Sequence, residues 1–173
     1  MKQRMVAITL AGIYLGSAGS LWAAEQVELT TRVSGVVETV LVKPGQRVKK
    51  GAVLLRLDKT VLQARLDEVT AEQTLAHADE ADAKRELERA KELFDRAVSS
   101  ASELEAATLR HARAKAVLSG ANARRVIAQK NLDDADLKAP FNGVVSSVPG
   151  GAGTVVTADC QPKPLVILSP DKP

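Results

Sequence analysis

GVVETVLVKPGQRV at residues 35 to 48 and GVVSSVPGGAGTVV at residues 143 to 156 are two copies of one pattern, and that repeat decides the fold. At a single constant offset, Gly35, Val40, Gly45 and Val48 fall on Gly143, Val148, Gly153 and Val156. In each copy β-branched residues bounded by Gly or Pro predict short strands joined by tight turns. Each then runs into a further apolar stretch, VLLRL at 53 to 57 and PLVIL at 164 to 168. Each copy thus reads as two to four short strands. A pair of strands alone cannot bury an apolar face. The two copies are therefore expected to associate into one small β-sandwich or flattened barrel, the chain leaving the first half and returning to finish the second.

The stretch between them, from about Thr60 to Asp136, has no Pro, one Gly and a persistent helical period. Leu62, Leu66, Val69, Gln73, Ala76, Glu80, Ala83, Leu87, Ala90, Phe94 and Ala97 follow alternating steps of four and three, which hold one stripe on one helix face. Leu104, Ala107, His111, Ala114, Leu118, Ala121, Arg125, Ala128, Leu132 and Ala135 form a second stripe. The pattern breaks at AVSSASEL, where Ser100 followed by Glu103 has the spacing of a capping box. Two arms, about 60–97 and 102–135, are predicted to fold back as an antiparallel coiled coil. At 1.5 Å per residue each is on the order of 50 to 55 Å long. The register sets Phe94 near Leu104, Leu66 near Leu132, Gln73 near Arg125 and His111 opposite Leu87. Alanine at many seam positions permits close approach but buries little area per layer. Gly120 costs about 0.8 to 1 kcal/mol relative to Ala and is a candidate bend.

Composition limits the remaining classes. With 45% apolar, 26% charged and only 2% aromatic residues, any core is aliphatic. MKQR followed by an apolar run ending at Ala23–Ala24 reads as a signal peptide over 1–24, against the competing reading of an uncleaved anchor. Lys2 and Arg4 contribute to the formal charge of +3, so the rest of the chain is nearly neutral. Its charges interleave, which argues against nucleic acid. The lone Cys160 has no internal disulfide partner.

Half-motif, long hairpin, half-motif resembles the domain order of the periplasmic adaptor, or membrane fusion protein, family of HlyD and RND-type efflux systems. VSGVVETVLVKPGQRVKKGAVLLRLD (33 to 58) is similar to that family's first lipoyl half. LKAPFNGVV, with Ala139, Pro140, Phe141 and Gly143, is similar to the re-entry into the second. The resemblance implies an α+β fold, a lipoyl/biotinyl-like β-sandwich (barrel-sandwich hybrid) interrupted by the hairpin. Its parts would be 25–58 and 137–168 for the β domain, 59–136 for the hairpin and 169–173 for a tail. RAKELFDRAVSSASELEAA resembles the tips by which such adaptors engage TolC-type channels, and the family's Arg, Leu and Ser fall on Arg89, Leu93 and Ser100. The resemblance further implies a periplasmic homo-oligomer, a ring of lipoyl domains with the hairpins as a tube. Its partners would be an outer-membrane channel of the TolC type and an inner-membrane transporter. Family members continue into a β-barrel and a membrane-proximal domain, whereas this sequence stops at SPDKP. A second adaptor chain, a differently built exporter or a truncated product are the readings of that difference.

Other classes find less support. A swinging-arm carrier would acylate a Lys at a turn, and Lys59 is the one candidate, with Asp58 or Thr60 expected to cap the helix that follows. No enzyme is expected: His77 and His111 sit on the hairpin without a nucleophile or phosphate loop. His77, Asp79, Glu80 and Asp82 spread around the helix rather than converging on a metal. No cofactor is implied. A generic coiled-coil protein would leave the tip residues interchangeable.

Overall fold

The short β-branched runs become eight strands, four from each half. The computed structural model describes residues 26–158 and 163–171. The segment read as a signal peptide and Cys160 lie outside those residues. The first half supplies β1 (Val27–Leu29), β2 (Gly35–Val40), β3 (Arg47–Val48) and β4 (Val53–Leu57). Two helices follow, α1 (Thr60–Asp95) and α2 (Ala101–Asp133). The second half supplies β5 (Asp136–Lys138), β6 (Gly143–Ser147), β7 (Val155–Val156) and β8 (Val166–Pro170). The fold is α+β, a β-sandwich interrupted by a two-helix hairpin.

The halves interleave. One antiparallel sheet runs β1-β8-β6-β3 and the other β5-β4-β2-β7, so each has central strands from one half and edge strands from the other. The pairings match one for one: β2 with β4 as β6 with β8, β2 with β7 as β6 with β3, β4 with β5 as β8 with β1. Single hydrogen bonds repeat too. The Gly45 amide donates to the Val145 carbonyl at 2.8 Å and the Gly153 amide to the Val37 carbonyl at 2.8 Å. Both glycines turn the chain at φ +83, open to glycine without strain. The last strand departs from the constant offset: β8 begins at Val166, two residues into PLVIL. Val37, Leu54, Leu55 and Leu57 from one half and Val145, Leu165, Val166 and Leu168 from the other are at most 1% exposed and share one aliphatic core.

The re-entry sequence LKAPFNGVV is a clasp between the halves. The Ala139 amide donates to the Ala52 carbonyl at 2.9 Å, and its carbonyl accepts from the Gly51 amide at 2.8 Å. Asn142 Oδ1 accepts from the Lys50 amide at 2.7 Å. Gly143 leaves no room for a side chain, since a Cβ there would lie 2.4 Å from the Ser169 carbonyl oxygen.

Along the hairpin the sequence stripes are the covered positions. Val69, Ala76, Ala83 and Leu87 of α1 and Ala107, Ala121 and Ala128 of α2 are buried, and all belong to them. Gly120 does not break α2, which is continuous through it. Two seam positions differ from expectation: Phe94 is 40% exposed and Ala97 lies beyond the helix end. Polar partners differ as well. Gln73 Nε2 donates to Asn122 Oδ1 at 2.7 Å instead of meeting Arg125, whose buried Nε has no partner among the described residues. His111 Nε2 lies 3.0 Å from Glu80 Oε1, giving the ring a carboxylate partner on the other arm.

At the root, Asp136 ties the hairpin to the β domain. Its carboxylate accepts from Arg56 Nε at 3.0 Å and from Lys59 Nζ at 2.8 Å. Asp58 Oδ1 accepts from the Thr60 amide at 2.8 Å, so Asp58, not Thr60, satisfies the first backbone donor of α1. Burial pushes the Asp136 carboxyl upward, but the hydrogen bonds and charges of Lys59 and Arg56 outweigh it and hold the group below its ordinary value.

Two tests follow from this packing. Gly143→Ala is expected to lose about 1 to 3 kcal/mol to the backbone clash, whereas Gly120→Ala, with no contact closer than 3.6 Å at Arg124 Nη1, is expected to gain about 0.8 to 1 kcal/mol. Urea denaturation of both variants reads the opposite signs. Because Asp136 titrates lower folded than unfolded, its contribution is complete above the ordinary carboxylate range and disappears as pH falls through the folded value. Asp136→Asn is therefore expected to cost about 1 to 2 kcal/mol at neutral pH and to flatten the acid limb of a stability-against-pH curve.

Candidate functional site: the hairpin tip

Folding two arms back on each other leaves side chains uncovered where they meet. α1 ends because Ala97 turns to φ +56, in the left-handed region. The Ala97 amide donates to the Phe94 carbonyl at 2.9 Å and the Val98 amide to the Leu93 carbonyl at 2.9 Å, the two bonds of a Schellman cap. Glycine is the usual residue at that position, and an L residue there costs about 1 to 2 kcal/mol. α2 then starts on the expected capping box. Ser100 Oγ accepts from the Glu103 amide at 3.3 Å, and Glu103 Oε2 accepts from the Ser100 amide at 2.8 Å.

Arg89 and Leu93, one helical turn apart, present a cation and an apolar knob on one side of α1, and both are exposed. Leu93 is 44% exposed and Val98 71%, and with Phe94 they give the tip three accessible large apolar side chains. Ser100 is also exposed; its oxygen serves the cap while its hydroxyl proton is free to be donated. Arg89 stands outside the ion pairs found among the described residues of the two arms. Ser99 Oγ is buried with no partner among the described residues. Nothing in the residue pattern distinguished it from its neighbour. Phe94 and Val98 escaped too, Phe94 because it continues the seam period and Val98 because it lies in the break.

The arrangement offers shape, the Arg89 cation and hydroxyls, the means of recognition by another protein surface. Lys59, the carrier candidate, is held by Asp136. Among the described residues no group of three or more His, Cys, Asp or Glu is placed to hold a metal ion. Among them, too, no helix is long and apolar enough to cross a membrane.

Residues 25–162 match the family model described as CzcB-like, barrel-sandwich hybrid domain. The chain is 32% identical over 153 residues to the efflux pump periplasmic linker BepF of Brucella suis biovar 1, covering 88% of this chain and 37% of that protein. It is 28% identical over 145 residues to the multidrug resistance protein MdtA of Pectobacterium carotovorum, covering 84% and 35%. The chain therefore spans little more than a third of the length of these relatives. A MacA–MexA chimeric protein containing the Pseudomonas aeruginosa MexA α-hairpin domain superposes with TM-score 0.60 at 25% identity, covering 84% of this chain and 46% of that one.

Relieving the left-handed cap tests how tightly the tip is held. Ala97→Gly is expected to stabilise the hairpin by about 1 kcal/mol, seen as a higher denaturation midpoint in circular dichroism at 222 nm.

Proposed function

The chain belongs to the CzcB-like barrel-sandwich hybrid family, and from that membership we propose that it is a non-enzymatic adaptor of an efflux or export assembly in the periplasm. In this reading the N-terminal segment directs secretion, and residues 25–58 and 137–168 form a base from which the hairpin, 59–136, projects. Its tip docks on an outer-membrane channel of the TolC type, and the assembly works with an inner-membrane transporter. The names of the relatives, a periplasmic linker and a multidrug resistance protein, support the adaptor class.

The observation that carries the reading is the composition of the tip. Arg89, Leu93 and Ser100 are accessible together at the end of the arms farthest from the β domain, beside exposed Phe94 and Val98. An apolar knob flanked by a cation and a hydroxyl interlocks with the ends of other helices. A single contact of this size is weak, and several copies presenting their tips together sum it. The exported compound passes the adaptor without bond chemistry.

The test is capture of a TolC-type channel from membrane extracts by the full chain. Arg89→Asp and Leu93→Asp are each expected to lower capture roughly tenfold or more, about 1.4 kcal/mol or above. Helicity and melting should stay at the wild-type level because the tip is remote from the β core. Equal capture by wild type and both variants would remove the tip from the docking surface.

A further inference from the structure

The internal repeat supplies its own control for which residues the fold requires. Residues 43–50, between β2 and β4, follow the same path as residues 151–158. The Gln46 amide donates to the Lys43 carbonyl at 3.1 Å, as the Thr154 amide does to the Gly151 carbonyl at 3.1 Å. The Val145 amide donates to the Gln46 carbonyl at 2.9 Å, as the Val37 amide does to the Thr154 carbonyl at 2.9 Å. Val48 and Val156 both turn inward and are buried. The outward positions differ. Lys43, Arg47, Lys49 and Lys50 stand where the second copy has Gly151, Val155, Thr157 and Ala158, and neither stretch contains an acidic residue. The turn therefore forms without charge, and its cations are not what holds it.

These cations are accessible and lie toward one end of the molecule. All four are exposed. Among the described residues Lys43, Lys49 and Lys50 belong to no ion pair, and Arg47, with its side chain 81% exposed, meets Asp171 at 4.0 Å. Thr30 and Arg32, just past β1, line a hollow with Lys130 and Asp134 at the end of α2, so the Leu29–Val166 end of that sheet faces the hairpin root. The row of Val48, Gly143 and Pro170 closes its opposite end. In the other sheet Arg56 beside Asp136 marks the root, and the Gly51–Ala139 bond marks the far end. Lys49 and Lys50 lie between those two far ends, the Lys50 amide bonded to Asn142. The base of the β domain, farthest from the hairpin tip, is thus cationic.

We propose that this base rests on an anionic membrane surface, with Lys43, Arg47, Lys49 and Lys50 against the phosphates of lipid headgroups. A membrane requires only that charge come within a Debye length, about 8 to 10 Å, of its plane. The outward residues of the turn supply charge and, besides it, only Pro44, Gly45 and Gln46. A specific protein partner is held by aromatic or large apolar anchors, and nucleic-acid bases stack on aromatic rings; the turn presents neither. Each cation near such a surface strengthens attachment about fivefold, and four together several-hundred-fold. Attachment of that size is reversible and sensitive to salt. It points the hairpin away from the membrane, and it does not rest on channel docking, because none of the four cations is in the tip.

The experiment is cosedimentation of the full chain with vesicles of phosphatidylcholine alone and with vesicles containing roughly one third phosphatidylglycerol, with circular dichroism as the fold control. Binding to the anionic vesicles is expected to exceed binding to the neutral ones, and added salt to remove the excess. Lys49→Gln with Lys50→Gln is expected to lower the excess roughly tenfold or more. Lys84→Gln with Lys115→Gln removes the same charge from exposed positions on the hairpin and is expected to leave the excess within about twofold of wild type. Equal binding to the two kinds of vesicle, an excess that salt does not reduce, an undiminished turn variant or an equal loss in the hairpin variant overturns the proposal. So does retention on immobilised polyglutamate without binding to anionic vesicles, which would assign the surface to an acidic protein instead.

Discussion

Each sheet of the β domain owes its edges to the other half of the chain, and everything else in the molecule is arranged around that exchange. β2 and β4 cannot complete a sheet without β5 and β7, and β6 and β8 cannot without β1 and β3. Whatever the chain does between Leu57 and Asp136, it must bring these two residues back together. Arms of nearly equal length, 36 and 33 residues, meet that condition. The Asp136 carboxylate, held by Arg56 and Lys59, fixes the point of return. The edge strands are two or three residues long, which leaves little free backbone for unwanted pairing.

The same arms resolve a second conflict. A projecting stem has almost no volume in which to bury side chains, and alanine at seven-residue intervals solves this by close approach rather than by bulk. Polar residues interrupt the seam, with Gln73 bonded to Asn122 and His111 facing Glu80. Such interruptions lower stability while favouring one register over its neighbours. The stem projects the exposed Leu93, Phe94 and Val98 at its tip, outside the core that stabilises the fold.

The repeat and the stripes were legible because they depend on side-chain periodicity, which the backbone imposes directly. Gly45 and Gly153 matched in sequence and match in dihedral angle. What periodicity does not encode is where a helix stops without glycine or proline. Ala97 continues the seam pattern yet turns left-handed, and so Phe94 is exposed instead of packed. Partner choice among long polar side chains was equally hidden, since rotamers decide whether Gln73 reaches Asn122 or Arg125. The shift of β8 relative to PLVIL was hidden too, because a run of apolar residues carries no mark of where pairing begins. Arg89, Leu93 and Ser100 were singled out through resemblance. Their exposure and the cap around Ser100 are structural facts that the residue types alone did not contain.

The exchange of edge strands also sets an order of events on the folding chain. Strand pairs such as β2 with β7 join residues more than a hundred positions apart, and closing so long a loop before any helix exists carries a large entropic cost. The hairpin, by contrast, is built from contacts that begin at neighbouring residues around Ser100 and lengthen one layer at a time. Once its arms have zipped to the root, Leu57 and Asp136 are neighbours, and the loop that separates the halves shrinks from about eighty residues to a few, a saving of about 2 to 3 kcal/mol. The stem is in this sense a folding template as well as a reach: the β domain is assembled by the element that interrupts it.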